Sequence, residues 1–210
     1  MRRSFVAGWV ALCTLACVTE ESGSIALSRP CVELPCECAP GESCVLDCLG
    51  GDDCAPTCDD TVECEAFCGD RCDFDCVGQL CDVECRDDCV ISCAGSDLCA
   101  ANCGENCAYD CVSANNCAPV VGNNSVVTCT GSGTCSPTCT GPCEVNCVEL
   151  GTCQVECVGD CLVNCDGVGI CEAMCADGAE PIDCGVDEFM QRRSFVCGST
   201  DQCPTSTSSL

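Results

Sequence analysis

Much of the chain alternates strictly between apolar and polar positions, in five-residue pieces that begin and end with cysteine. CDFDC (72–76), CDVEC (81–85), CVISC (89–93), CAYDC (107–111), CEVNC (143–147), CQVEC (153–157) and CLVNC (161–165) all have the form Cys-x-φ-x-Cys. Asp, Glu or Asn is frequent at x, and valine, isoleucine or an aromatic residue at φ. Apolar character at every second residue marks a half-buried strand. Each piece therefore predicts a short strand with its cysteines and middle residue inward and its polar residues in water. The connectors carry turn chemistry. Short ones include GDR (69–71), GEN (104–106), TGP (140–142) and VGD (158–160); long ones include LGGDD (49–53), AGSDL (94–98), TGSGT (130–134) and DGVGI (166–170). Glycine is expected there for positive φ, and Asp or Asn for local backbone hydrogen bonds.

The pieces recur with a fixed period. Cysteines fall at 81, 85, 89, 93, 99, 103, 107 and 111, and later at 135, 139, 143, 147, 153, 157, 161, 165, 171 and 175, a spacing of 4, 4, 4 and 6 that sums to 18. Such a period marks a solenoid. A helix also brings i,i+4 cysteines onto one face, but Gly and Pro recur in every period, among them Pro137, Gly141 and Pro142. Each costs a helix interior about 1–3 kcal/mol. The predicted fold is all-β: a flattened, disulfide-stapled β-solenoid with two short strands and two turns per coil of about 18 residues. From Cys44 to Cys175 roughly seven coils fit, and at about 4.8 Å per coil they make a rod about 34 Å long. The first coils are less regular: both connectors in 44–63 have five residues, and VGQL (77–80) has four.

One irregularity bears on cysteine pairing. After Cys117 the register calls for cysteines at 121 and 125, where the chain has Val121 and Ser125, and Cys129 returns on schedule. The two missing cysteines flank one short connector, as a lost disulfide pair would. The inferred pairing therefore runs across connectors. Across short ones it joins Cys68–Cys72, Cys85–Cys89, Cys103–Cys107, Cys139–Cys143 and Cys157–Cys161. Across longer ones it joins Cys48–Cys54, Cys58–Cys64, Cys76–Cys81, Cys93–Cys99, Cys111–Cys117, Cys129–Cys135, Cys147–Cys153 and Cys165–Cys171. A competing scheme bridges stacked cysteines of adjacent coils. Their Cα separation of about 4.8 Å also suits a disulfide, so geometry does not exclude it.

Composition explains why sulfur is needed. The chain has 36 cysteines in 210 residues, 3% aromatics and no histidine. Each coil offers about two φ residues to bury, so hydrophobic burial is thin. Closing a loop of this size contributes on the order of 2 kcal/mol in the chain-entropy model. Lys+Arg is 7, all arginine, against Asp+Glu 34, for a net charge of -27. That balance excludes the basic footprint of a nucleic-acid binder and disfavours anionic membrane surfaces. Cations and basic surfaces remain as partners whose identity the residues do not specify; otherwise the acidic face keeps the rod in solution.

The N-terminus has the layout of an export signal. Arg2 and Arg3 precede an apolar run from Phe5 to Ala16 that is shorter than the ~20 residues a membrane span needs. Thr14-Leu15-Ala16-Cys17 resembles the lipobox of bacterial lipoproteins, which implies lipidation of Cys17; Leu15 and Thr14 depart from the usual pattern. Ordinary cleavage after Ala16 would leave 35 cysteines; loss of Cys13 and lipidation of Cys17 leaves 36 − 2 = 34, an even number. Val18 follows Cys17, and resemblance to Gram-negative lipoproteins with a non-acidic residue at that place implies the outer membrane. The expected organisation is a signal peptide (1–16), a lipid-anchored tether (17–30), a Cys-rich N-terminal cap (31–43), the solenoid (44–175), a Cys-rich C-terminal cap (176–203) and a disordered tail (204–210). Connectivity in the caps is left open.

Candidate chemistry is sparse. Catalysis finds no histidine base, no lysine and no recognisable nucleophile context, so no enzyme and no cofactor is expected. Thiolate metal binding meets Cys-x3-Cys rather than the Cys-x2-Cys of zinc ribbons, and an oxidising compartment favours disulfides. The 18-residue, two-strand period resembles the calcium-binding β-roll of exported toxins, and Gly50-Gly51-Asp52-Asp53 is the nearest match to its turn motif. TCTGSGTCSPTCT (128–140) resembles the threonine–cysteine repeats of insect antifreeze solenoids, through Thr128, Thr130, Thr134, Thr138 and Thr140. As a whole, the signal, the near-lipobox and the Cys-x3-Cys strands resemble the cysteine-rich repeat lipoproteins of Gram-negative soil bacteria. That resemblance implies a surface location and no defined activity. The leading expectation is a non-enzymatic structural or interaction rod; the alternative is a cation-binding module.

Overall fold

The computed structural model describes residues 27–31, 36–48, 51–187 and 192–204. Among them the chain winds as a β-solenoid of about eight coils, with no α-helix. Alternating apolar and polar residues build two parallel sheets that face each other across a thin interior. The first sheet stacks Cys36–Cys38, the start of Pro56–Phe67, the start of Asp73–Cys85, Val90–Ala94, Ala108–Val112, Ser125–Thr130, Cys143–Val148 and Cys161–Asp166. The second stacks Leu27–Pro30, Ser43–Asp47, the ends of the two long strands, Leu98–Cys103, Asn116–Val121, Thr134–Cys135 with Thr138–Cys139, Thr152–Cys157 and Ile170–Cys175.

The register turns the 18-residue period into vertical columns of like residues. Val145 lies between Val127 and Val163, and Cys147 between Cys129 and Cys165. The middle residues of the first sheet, Phe74, Ile91, Tyr109, Val127, Val145 and Val163, are all buried. Those of the second sheet are smaller on average: Leu46, Ala66, Val83, Ala101, Val155 and Ala173. Larger residues on one wall face smaller ones on the other across the narrow interior. Tyr109 is the largest of the fully buried side chains, and its hydroxyl donates 3.0 Å across the interior to the Cys99 carbonyl. Burial pushes the Tyr109 phenol well above the ordinary tyrosine range.

Three features differ from the sequence-based expectation. The stack starts before Cys44: Leu27–Pro30, expected within the tether, pairs in register with 44–47, and Cys36–Cys38, expected within a cap, pairs with 56–58. Their cysteine spacing is irregular, which hides them from a search for the 18-residue period.

The second difference concerns glycine. Positive φ in the short connectors belongs to Arg71, Asp88, Asn106 and Asn124, and in the long ones to Asp53, Asp60, Ser113 and Glu149 as well as Gly95, Gly131 and Gly167. Gly104, Gly122, Gly133, Gly151 and Gly169 instead mark close backbone approach. A Cβ on Gly122 would stand 2.5 Å from the Gly104 carbonyl oxygen, and one on Gly151 2.8 Å from that of Gly133. Glycine there lets one coil's turn lie on the next.

The third, which turn chemistry alone does not indicate, is in the long connectors from 94 onward, whose middle residue enters the core: Ser96, Ala114, Ser132 and Leu150 are buried. The signal was present in the chain, since this position carries Ser, Ala, Ser, Leu and Val in successive repeats and never a charge.

The C-terminal end closes by a change of direction. Arg193–Cys197 pairs antiparallel with Cys161–Asp166 on one side and with Ile182–Val186 on the other. The antiparallel pair covers the last edge of the first sheet, as open edges require. The expected signal peptide, Cys17 and residues 205–210 of the expected tail lie outside the described residues.

Candidate functional site

The cysteines come together across the turns. Cys48–Cys54, Cys58–Cys64, Cys68–Cys72, Cys76–Cys81, Cys85–Cys89, Cys93–Cys99 and Cys103–Cys107 are bonded. So are Cys111–Cys117, Cys129–Cys135, Cys139–Cys143, Cys147–Cys153, Cys157–Cys161 and Cys165–Cys171. Two more of the same kind, Cys31–Cys36 and Cys38–Cys44, continue the pattern toward the N-terminus. Cys175–Cys197 and Cys184–Cys203 tie the antiparallel cap. Through the repeat each bond crosses one turn of the coil, so the coils are clamped at both edges except at the connector 122–124. Where the pattern skips, Val121 stands in the column of Cys103 and Cys139, and Ser125 pairs in register with Cys143. Disulfides of this density form in oxidising compartments, so the protein is exported.

This arrangement constrains metal chemistry. Five groups of three sulfurs gather closely, for example Cys85, Cys89 and Cys103, or Cys157, Cys161 and Cys197. Each contains one bonded pair and one sulfur of another disulfide. The thiolate is the metal ligand, so metal binding at these groups requires prior reduction.

The acidic turn nearest to a β-roll motif is already engaged. The Arg71 guanidinium donates to Asp53 at 2.8 and 3.1 Å and to Asp52 at 3.4 Å. Its hydrogen bonds hold the Asp53 carboxyl below the ordinary range. Arg71 stands one coil above the two aspartates and supplies the positive charge a calcium ion would. The threonines of 128–140 form no single face either: Thr128 and Thr130 lie on the first sheet, Thr134 and Thr138 on the second, and Thr140 in a short connector.

The exposed surface carries two arrangements of interest. At the short-connector edge, stacked polar residues bond coil to coil. The Glu105 amide donates to the Asp87 carboxylate at 2.7 Å, and Asn123 Nδ2 donates to Glu105 Oε1 at 2.7 Å. Beside this ladder runs an open groove of about 660 Å³, where Gly104 and Gly122 carry no side chain and Glu84, Arg86 and Asn102 stand along the wall. On the outer face of the second sheet, Glu63, Glu65, Asp82 and Glu84 form an acidic patch near the N-terminal end. Partial burial pushes the Glu65 carboxyl up, and the charges of Asp82, Glu63 and Glu84 push it further. No ion pair reaches these four carboxylates among the described residues. Alternation predicted that they face solvent; their mutual repulsion follows only from the register that brings two coils together.

No helix among the described residues is long and apolar enough to cross a membrane. No protein-family model matches the chain, and neither any curated protein nor any solved structure matches it.

Proposed function

We propose that this protein is a non-enzymatic structural and interaction module, a rigid acidic rod carried at the cell surface on an N-terminal lipid, whose second-sheet face docks basic partners. The observation that carries the docking is the patch of Glu63, Glu65, Asp82 and Glu84, where a like-charged set is held on one sheet with no ion pair among the described residues. A positively charged partner relieves that repulsion, and the net charge of -27 draws it in from a distance. A near-lipobox at Cys17 and the resemblance to cysteine-rich repeat lipoproteins support the lipid anchor. The seventeen disulfides use all 34 cysteines from Cys31 to Cys203, so Cys17 is not needed as a disulfide partner for any of them. The intact mass of the mature protein reports that lipid directly.

Binding to an immobilised arginine-rich peptide tests the docking reading. The combined variant Glu63→Gln, Glu65→Gln, Asp82→Asn and Glu84→Gln is expected to weaken binding at least tenfold. Neutralising Asp73, Asp75, Asp110 and Glu144 on the first sheet removes the same charge and is expected to cost much less. Equal losses in the two variants would show that only net charge matters and would refute a docking face. The pH dependence has a definite sign. Because the folded state raises the Glu65 pKa, ionisation opposes folding. Its contribution to stability is full below the unfolded pKa and is lost as pH rises through the folded one. Mild acidification therefore stabilises this face while weakening its hold on a cation, and Glu65 protonates before an ordinary glutamate does.

A further inference from the structure

The repeat is one residue short at a single long connector, and the shortfall leaves a notch. Between Cys76 and Cys81 the chain has VGQL, where the later long connectors have five residues. The register beneath it slips between Asp59 and Thr61. The result is a recess of about 360 Å³ in the long-connector edge. Asp60, from the coil below, and Asp97, from the coil above, line it together with Gln79 and Thr61.

The donors in this notch are oxygen atoms, and they are under-used. Thr61 is 2% exposed, and its hydroxyl is the one buried side-chain oxygen or nitrogen among the described residues with no hydrogen-bond partner. Gly78 lies directly against it: a Cβ there would collide with Thr61 Oγ1, so the glycine roofs the hydroxyl without filling the space. Asp60 is held in the left-handed region at φ 52, and its carbonyl takes the Gly41 amide at 2.8 Å. Asp97 Oδ1 accepts from Asn115 Nδ2 at 2.7 Å, which orients the carboxylate and leaves Oδ2. No arginine among the described residues pairs with either aspartate; Arg71 serves Asp52 and Asp53 at the opposite edge. Two carboxylates, an amide oxygen and a buried hydroxyl make a hard-oxygen set, the kind that suits calcium with water completing its six to eight ligands.

We propose that this notch binds one calcium ion, held by the carboxylates of Asp60 and Asp97 with the Gln79 amide oxygen and the Thr61 hydroxyl. The site is separate from the docking face, and each stands or falls without the other. With only two carboxylates its affinity falls in the range of extracellular calcium modules, a Kd of roughly 0.1–1 mM.

Calorimetric titration of the full-length oxidised protein with calcium chloride, in enough sodium chloride to screen the general acidic charge, is expected to show one saturable site. Asp97→Asn should weaken it at least tenfold, and Thr61→Val several-fold. Gln79→Glu adds a third carboxylate and should tighten it about tenfold. Asp110→Asn, on the first sheet, should leave it unchanged. If Thr61→Val perturbs the fold, the exposed Asp97 and Gln79 positions still decide the matter. Absence of a saturable site, equal weakening by Asp110→Asn, or no gain from Gln79→Glu would overturn the proposal.

Discussion

Full reduction in native buffer is expected to abolish the fold, with loss of the strand signal in circular dichroism as thiols are released. Each coil presents about two middle residues to the interior, and on the second-sheet wall these include alanines such as Ala66, Ala101 and Ala173. Burial of that size cannot offset the entropy of ordering about 18 residues at 1–2 kcal/mol of backbone each. The seventeen disulfides act on the other side of the balance. In the chain-entropy model each closed loop of this length removes on the order of 2 kcal/mol from the unfolded state. Together they exceed several-fold the ~5–15 kcal/mol net stability of an ordinary domain. Reduction should start at the ends, because Cys31, Cys171 and Cys175 are partly exposed whereas Cys99, Cys111, Cys117 and Cys129 are sealed. A native spectrum that survives complete reduction would mean that the narrow hydrophobic interior suffices on its own.

Gly122→Ala is expected to destabilise by about 1–3 kcal/mol, the usual range for overpacking, although it improves on glycine by ordinary propensity. The added methyl would sit 2.5 Å from the Gly104 carbonyl oxygen, and the Gly122 amide hydrogen-bonds to that same oxygen at 2.8 Å. Relief requires lifting one coil off its neighbour, against the disulfides Cys103–Cys107 and Cys139–Cys143 that fix the coils on either side. Gly95→Asn serves as the contrast. Gly95 has φ +67 but open space around it, and Ser113 and Glu149 adopt the same conformation one and three coils on. Asn tolerates that region, so the change should be close to neutral. Denaturant unfolding with the disulfides intact compares the two. If Gly95→Asn proved the more damaging, positive φ rather than coil contact would be what these turns require of glycine.

The parts of the fold that were legible in the sequence are those with a period. Alternation located the strands, the 18-residue recurrence placed Val127, Val145 and Val163 in one column, and turn residues excluded a helix. Val121 and Ser125, lost together, pointed to pairing across a connector because they flank one. What periodicity could not reach depends on neighbours 18 residues away. The role of Gly122 is set by the Gly104 carbonyl and not by its own conformation. Arg71 reads as a turn residue until the stack puts it on Asp52 and Asp53. The early strands Leu27–Pro30 and Cys36–Cys38 carry no repeat signal and join the stack only through register. The notch at Gly78 was visible as a connector one residue short, but its donors come from three coils, and only the folded edge assembles them.

Peptide mapping by mass spectrometry without reduction, after cleavage at acidic residues, addresses the sulfur framework itself. Clamping of each coil at its own edges predicts links between cysteines four to six residues apart through the repeat, such as Cys93–Cys99 and Cys157–Cys161. Links between cysteines one coil apart, such as Cys93 with Cys111 or Cys129 with Cys147, would contradict it.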